Sequence, residues 1–208
     1  MNIEEEVLSY NVSRETFVSL EKFVCLLNEW NEKMNLVSKK SLQDVWVRHI
    51  LDSMQLINYI SNETGCLVDV GSGSGFPGVV LAILLKGKNP SLKIKLVESI
   101  RKKTVYLKNV CEELGLDNVE VLNDRVENVV FKDVSVVTAR AVASLDVLCK
   151  YCYTIVNNNT SILLLKGKSY KEEDKDARKN WKYDIEVYQN KYCDDGVVLK
   201  LNNLGKNK

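Results

Sequence analysis

The sequence predicts an open, mostly parallel α/β sheet, and three observations carry that prediction. Short apolar runs alternate with helical patterns from residue 66 onward. The first of those runs empties directly into a glycine-rich turn. The last two strand-like runs lie close together, as the arms of an antiparallel hairpin do. Parallel neighbours need a long crossover, usually a helix, so a strand–helix rhythm reads as a parallel sheet.

The first sixty residues read as helical. Phe17, Leu20, Val24, Leu27 and Met34 recur at helical spacing over 16–34, with Ser13 placed to cap the start. A second helical pattern runs through Leu42, Val45, Trp46, Ile50, Met54, Ile57 and Ile60, and residues 62–65 end it. Strands are expected over 66–70, 92–97, 119–122, 134–137 and 161–165. Helices are expected over 79–85, 100–114 and 144–156, with Pro90 and Gly115 as stops. A charged helix over 172–180 follows, then strands over 183–188 and 197–201. Cys193 to Gly196 joins these two, and Asp195-Gly196 is a tight-turn signal. This divides the chain into an N-terminal helical extension, 1–64, packed on a sheet domain, 65–208.

Composition narrows the class. The chain has 208 residues, 45% hydrophobic and 27% charged, which excludes disordered, collagen-like and disulfide-dense proteins. No run is long and apolar enough for a membrane span. The acidic start, Glu4-Glu5-Glu6, lacks the pattern of a secretion signal, so a cytoplasmic location is expected. Six scattered cysteines read as reduced thiols in apolar settings. Cys149 and Cys152 form a lone C-x-x-C inside a helical stretch, a poor zinc or redox motif, so no metal is expected. The formal charge is +1, so a nucleic-acid partner would need a local basic patch.

The strongest local signal is the loop from Asp69 through Gly71, Gly73, Gly75 and Phe76 to Gly78. Glycines let a backbone turn through positive φ and approach a ligand, and the loop ends at a helix N-terminus. A loop after the first strand is the usual ligand crevice of such a sheet. Gly73, Gly75 and Gly78 match the dinucleotide pattern G-x-G-x-x-G, with Glu98 at a fitting distance for a ribose hydroxyl. Asp69 argues otherwise, because a carboxylate there suits the ammonium of an amino-acid ligand and repels a pyrophosphate. Read from Asp69, the loop resembles the first motif of class I S-adenosylmethionine (SAM) methyltransferases, and Glu98 their ribose-binding acid. That resemblance implies a Rossmann-like, seven-stranded, mostly parallel sheet with a C-terminal antiparallel strand, and SAM as cofactor. Two alternatives stay open: an NAD(P)-dependent small-molecule oxidoreductase, and a non-catalytic binding module of the same fold.

Flanking segments point further. Asn35 to Ser38, Arg48-His49-Ile50-Leu51-Asp52-Ser53, the Phe76-Pro77-Gly78 ending, Glu98-Ser99 with Arg101-Lys102-Lys103, Arg125-Val126-Glu127, Thr138 to Ala141, and Leu165-Lys166-Gly167 occur in this order. Together they resemble the bacterial small-subunit ribosomal RNA methyltransferase G family, also called glucose-inhibited division protein B, from about residue 15 to 201. The resemblance implies methyl transfer to N7 of a guanine in 16S ribosomal RNA. It places Gly71, Phe76, Val126, Glu127 and Arg140 at the cofactor, with Arg140 beside the transfer site.

The partner expected is small-subunit ribosomal RNA or the 30S particle, met by a monomer. Guanine N7 carries an in-plane lone pair, so the transfer needs positioning and no general base. Arg101, Lys102, Arg125, Lys166 and Lys168 follow strand ends and form a candidate RNA-binding rim. Arg48 and His49 join that set through the resemblance. Their plainer readings are an Arg48–Asp52 ion pair one helical turn apart and a histidine packed against the sheet.

Overall fold

The computed structural model describes residues 2–60 and 64–207. Its seven strands are β1 (Cys66–Val70), β2 (Lys93–Val97), β3 (Val119–Leu122), β4 (Val134–Arg140), β5 (Ser161–Lys166), β6 (Trp181–Gln189) and β7 (Val197–Lys206). They form one sheet in the order β3-β2-β1-β4-β5-β7-β6. The pairings from β3 through β5 are parallel, and β7 runs antiparallel to both β5 and β6. The expected strands are present. β4 continues past 137 to Arg140 and β7 past 201 to Lys206, because their pairing continues.

β1 is the central strand and all five of its residues are buried, which explains its unbroken apolar character. The helix after it, α5 (Gly78–Lys88), is apolar on every side through Leu85 and buried there throughout. It needs cover on two sides. The sheet supplies one; the N-terminal layer supplies the other, through α2 (Arg14–Asn31) and α4 (Asp52–Met54). Ser13 caps α2 by accepting from the Thr16 backbone N–H at 3.3 Å. On the same face, α6 (Arg101–Glu113) buries Tyr106, Leu107 and Val110. The opposite face holds a second core under α7 (Leu145–Tyr153) and α8 (Tyr170–Ala177).

Three features differ from expectation. A short helix, α1 (Ile3–Leu8), precedes Ser13. The continuous helix expected over 42–60 is broken into α3 (Lys39–Gln43), a π-helical turn over Trp46–Leu51, α4, and a 3₁₀ stretch over Gln55–Tyr59. This segment buries Asp52, Ser53 and Gln55 as well as apolar residues, so no single helical face separates core from solvent. The end expected over 62–65 lies partly outside the described residues, which omit 61–63. Finally, the β6–β7 connection spans residues 190–196. A β-turn closed by the Gly196 N–H on the Cys193 carbonyl, at 2.8 Å, sits inside that longer loop instead of joining the strands directly.

The loop is held by polar contacts to the N-terminal layer. Asp52 Oδ1 accepts from Asn190 Nδ2 at 2.6 Å and from Gln55 Nε2 at 3.1 Å. Tyr10 and Tyr192 hydroxyls meet at 2.7 Å, and Tyr192 also donates to Glu6 at 2.6 Å. No helix among the described residues is long and apolar enough to cross a membrane.

Candidate cofactor and acceptor site

The glycine loop leaves β1 at its carboxyl end, beside the ends of β2 and β4. Gly71 and Ser72 donate backbone N–H groups to the Val97 carbonyl at 2.9 and 3.0 Å. Gly73 donates to Glu98 Oε2 at 3.0 Å, while Glu98 Oε1 accepts from the Ile100 N–H at 2.7 Å. Glu98, 6% exposed, therefore pins the loop to the turn after β2. Each oxygen keeps further acceptor capacity.

The glycines have different reasons to be glycine. A Cβ on Gly71 would meet Val142 at 2.7 Å, and one on Gly75 would meet Val79 at 2.8 Å. Those two answer to protein packing. Gly73 has φ +54°, yet its Cβ would meet only the Gly71 carbonyl oxygen, at 3.6 Å. The space beside Gly73 is empty of protein, as a backbone that cradles a ligand requires.

Asp69, expected at the cofactor, has its carboxylate turned into the protein. Its carboxylate is fully buried, accepts from Thr138 Oγ1 at 2.7 Å, and lies against Gly78. It therefore faces α5 inside the protein and ties β1 to β4. Burial pushes its carboxyl up to about 6, against the pull of the Thr138 hydrogen bond. The folded protein thus holds this proton more tightly than an unfolded chain, whose carboxyl titrates near 3.8. Stability from this group is full below that value and is lost as pH rises to about 6. Relative to wild type, Asp69→Asn gains about 3 kcal/mol between pH 3.5 and 7. Urea unfolding across that range checks it; a constant offset would refute the assignment.

A cleft with about 640 Å³ of open space lies beside the loop, walled by Gly71, Val97, Ser99, Val126 and Glu127. The structure thus brings Gly71, Val126 and Glu127 together. Arg125 stands at the same cleft and is exposed. On the other side of the loop, Phe76 stacks on His49, with ring centroids 4.8 Å apart and planes 17° from parallel. The Arg140 guanidinium lies 6.0 Å above the Phe76 centroid.

Arg140, the last residue of β4, is anchored twice. Its Nε pairs with Asp52 Oδ2 at 3.3 Å, and its Nη2 donates to the Arg48 carbonyl at 2.7 Å. Burial lowers the Arg140 pKa, opposed by Asp52; burial raises that of Asp52, opposed by Arg140. The Arg48–Asp52 ion pair read from spacing is not formed: the Asp52 carboxylate reaches Arg140, and only the Arg48 backbone takes part. The Asp52 network with Gln55 and Asn190 was not legible in the sequence, since spacing carries no signal for a partner 138 residues away.

The cations of the expected rim differ in exposure. Arg101 and Lys102 open α6 and are exposed, and Arg48 is exposed. Lys166 is not a free cation. It pairs with Glu173 at 2.5 Å, donates to the Ala143 carbonyl at 3.0 Å, and its side chain is 10% exposed. The α8 helix, read only as a surface helix, supplies that acid.

A seven-stranded sheet in this order, with a glycine loop after β1 and an acid after β2, defines a SAM-dependent methyltransferase. Solved structures of that class share the fold. A SAM-dependent methyltransferase from Aquifex aeolicus matches with TM-score 0.57 at 16% identity, covering 81% of this chain and 95% of that one. M. jannaschii TYW2 in complex with AdoMet matches with TM-score 0.57 at 18% identity, covering 77% of each chain. The sequence model of the family described as rRNA small subunit methyltransferase G matches residues 17–198, and the chain belongs to that family. A relative from Rickettsia akari, named ribosomal RNA small subunit methyltransferase G, is 38% identical over 195 residues, 94% of this chain and 98% of that protein. One of the same name from Ruegeria sp. is 38% identical over 194 residues, 93% of this chain and 94% of its own.

Proposed function

We propose that this chain transfers the methyl group of SAM to N7 of a guanine in small-subunit ribosomal RNA. The observation that carries the reading is Gly73, whose missing side chain opens only onto ligand space, in a chain of this family. SAM supplies an electrophilic methyl on sulfur. Gly71, Gly73 and Gly75 shape the loop around it, Glu98 offers its remaining lone pairs to the ribose, and Val126 and Glu127 wall the adenine side. Phe76 and Arg140 stand at the other end. Guanine N7 attacks with a lone pair and loses no proton, so the residues orient two reactants and move no hydrogen. The helical layer, 1–64, and the sheet, 65–208, act as one unit, because Asp52 and Arg140 are partners across them.

Arg48, Arg101, Lys102 and Arg125 hold the RNA backbone. The working form is a cytoplasmic monomer on the 30S particle or its RNA. Lys102→Ala weakens RNA binding by about threefold to tenfold and flattens its salt dependence by about one ion. SAM affinity stays unchanged. A gel-shift titration at two salt concentrations with parallel calorimetry checks both statements.

Transfer of labelled methyl from SAM to small subunits lacking this modification tests the function. Label recovered as N7-methylguanine in 16S ribosomal RNA supports the reading. Label on another base keeps the fold and removes the specificity. Binding of SAM with no transfer to subunits or naked RNA favours a binding module, and binding of NAD(P) without SAM an oxidoreductase.

A further inference from the structure

The loop after β4, residues 141–144, touches both sides of the site. Val142 walls the cleft that Val126 and Glu127 close, and Ala141 walls the one on the Phe76 side. Both depend on a strained backbone. Ala141 has φ +53°, in the left-handed region. The other non-glycine residues with positive φ, among the described residues, are Asn11, Asp133 and Asn203. Short polar side chains suit such a turn, and alanine has none. A left-handed residue of that kind persists only where its surroundings hold it there. The clearance is small as well. A Cβ on Gly71 would lie 2.7 Å from Val142 Cγ2, so Val142 sits hard against the glycine loop.

What holds the loop comes from β5 and α8. The α7 helix begins at Leu145, directly after the loop, and Ser144 at its cap position makes no side-chain hydrogen bond. Glu173 of α8 takes that place: its Oε2 accepts from the Leu145 N–H at 2.8 Å. The same oxygen pairs with Lys166 Nζ at 2.5 Å, and Lys166 donates to the Ala143 carbonyl at 3.0 Å. Ser169 Oγ donates to Glu173 Oε1 at 3.0 Å and steadies the carboxylate. Burial acts to raise the Glu173 carboxyl, but the bonds from Lys166, Ser169 and Leu145 outweigh it and hold the group below its ordinary range. The acid is therefore ionised at neutral pH, and bonds to an ionised group are the stronger ones. The pair grips the chain on each side of Ser144, at the Ala143 carbonyl and at the Leu145 N–H.

We propose that Lys166 and Glu173 are positioning residues for methyl transfer, acting through the loop they tie down. They hold Ala141 in left-handed backbone and so keep Val142 seated on Gly71 at the cofactor cleft. Once released, Ala141 relaxes to ordinary backbone and carries Val142 off the glycine loop. Neither charged residue touches the reactants. The inference rests on the cofactor reading above. It gives α8, a charged surface helix by sequence, a part in the reaction, and it gives Lys166 a task other than RNA binding.

The test combines Lys166→Met with Glu173→Gln in the intact chain, which removes both charges together and strands neither. The glutamine keeps an oxygen for the Leu145 N–H, while the tie to Ala143 is lost. This double variant melts cooperatively. It binds SAM about tenfold more weakly by calorimetry and, at saturating SAM, transfers methyl about tenfold more slowly. A second background separates positioning from simple support. Glycine adopts positive φ without penalty, so in a chain carrying Ala141→Gly the loop keeps its shape with less help. There the same double substitution costs only about twofold. An equal loss with and without Ala141→Gly would overturn the proposal, since a pair that merely joined α7 to β5 would be indifferent to residue 141. Native affinity and transfer rate in the double variant would overturn it too. If the double variant does not fold, Lys166→Met alone leaves Glu173 on Leu145 and Ser169 and is compared in the same two backgrounds. Wild type that binds no SAM would remove the cofactor reading, and this inference with it.

Discussion

Gly73→Val yields a folded protein that has lost at least about 100-fold in SAM affinity. The position separates folding from binding because the protein makes no packing demand on it: a Cβ there meets one carbonyl oxygen at 3.6 Å and then open space. Valine must also adopt φ +54°, which costs about 1–3 kcal/mol of stability. Gly73→Asn controls for that strain, since asparagine tolerates left-handed backbone while still filling the cradle. Both variants should melt cooperatively, with asparagine nearer the wild type, and both should fail to bind. An asparagine variant with native affinity would show that the backbone at 73 does not approach the cofactor.

Arg140→Ala abolishes methyl transfer and lowers stability by about 3 kcal/mol. The stability loss follows from the carboxylate left behind, because Asp52 has an 8% exposed side chain and loses the cation it pairs with. The two losses have different origins and can be separated. Adding Asp52→Asn removes the stranded charge and keeps oxygen and nitrogen available to Asn190 and Gln55. The double variant therefore recovers most of the stability and none of the transfer. Urea unfolding and a methyl-transfer assay on both proteins decide it. Stability that stays low in the double variant would mean that the guanidinium's bond to the Arg48 carbonyl, at 2.7 Å, dominates.

The parts of this molecule that were legible in its sequence are those whose cause is local. β1 reads as a buried strand because both of its faces are covered. The glycine loop reads as a loop because positive φ at Gly71, Gly73 and Gly75 admits little else. Ser13 announces the start of α2 because its own hydroxyl makes the cap. The illegible parts depend on partners far along the chain. Residues 42–60 carry apolar groups at helical spacing, so periodicity sees one helix; the break around 46–59 reflects three polar side chains drawn inward. One of these, Asp52, is paired by spacing with Arg48, whereas β4 brings Arg140 to it. Lys166 looks like a rim cation in sequence, and Glu173 on α8 removes it from the rim. Asp69 shows the same limit within the motif itself: its spacing marks the loop, while its direction depends on where Thr138 lies.

The hairpin loop over 190–196 has a consequence for how the enzyme is made. It closes on residues near the opposite end of the sequence: Asn190 on Asp52, Tyr192 on Tyr10 and Glu6, Lys191 on Glu6. These contacts span 138 to 186 positions of chain. Contacts of such separation form late, after the entropy of closing the intervening chain has been met. A nascent polypeptide that has not yet reached residue 190 therefore lacks the latch that seats Asp52, and with it the support for Arg140. The Arg140 support is completed near the end of synthesis, so truncated chains released from the ribosome carry a glycine loop and an Arg140 whose partner Asp52 is unlatched.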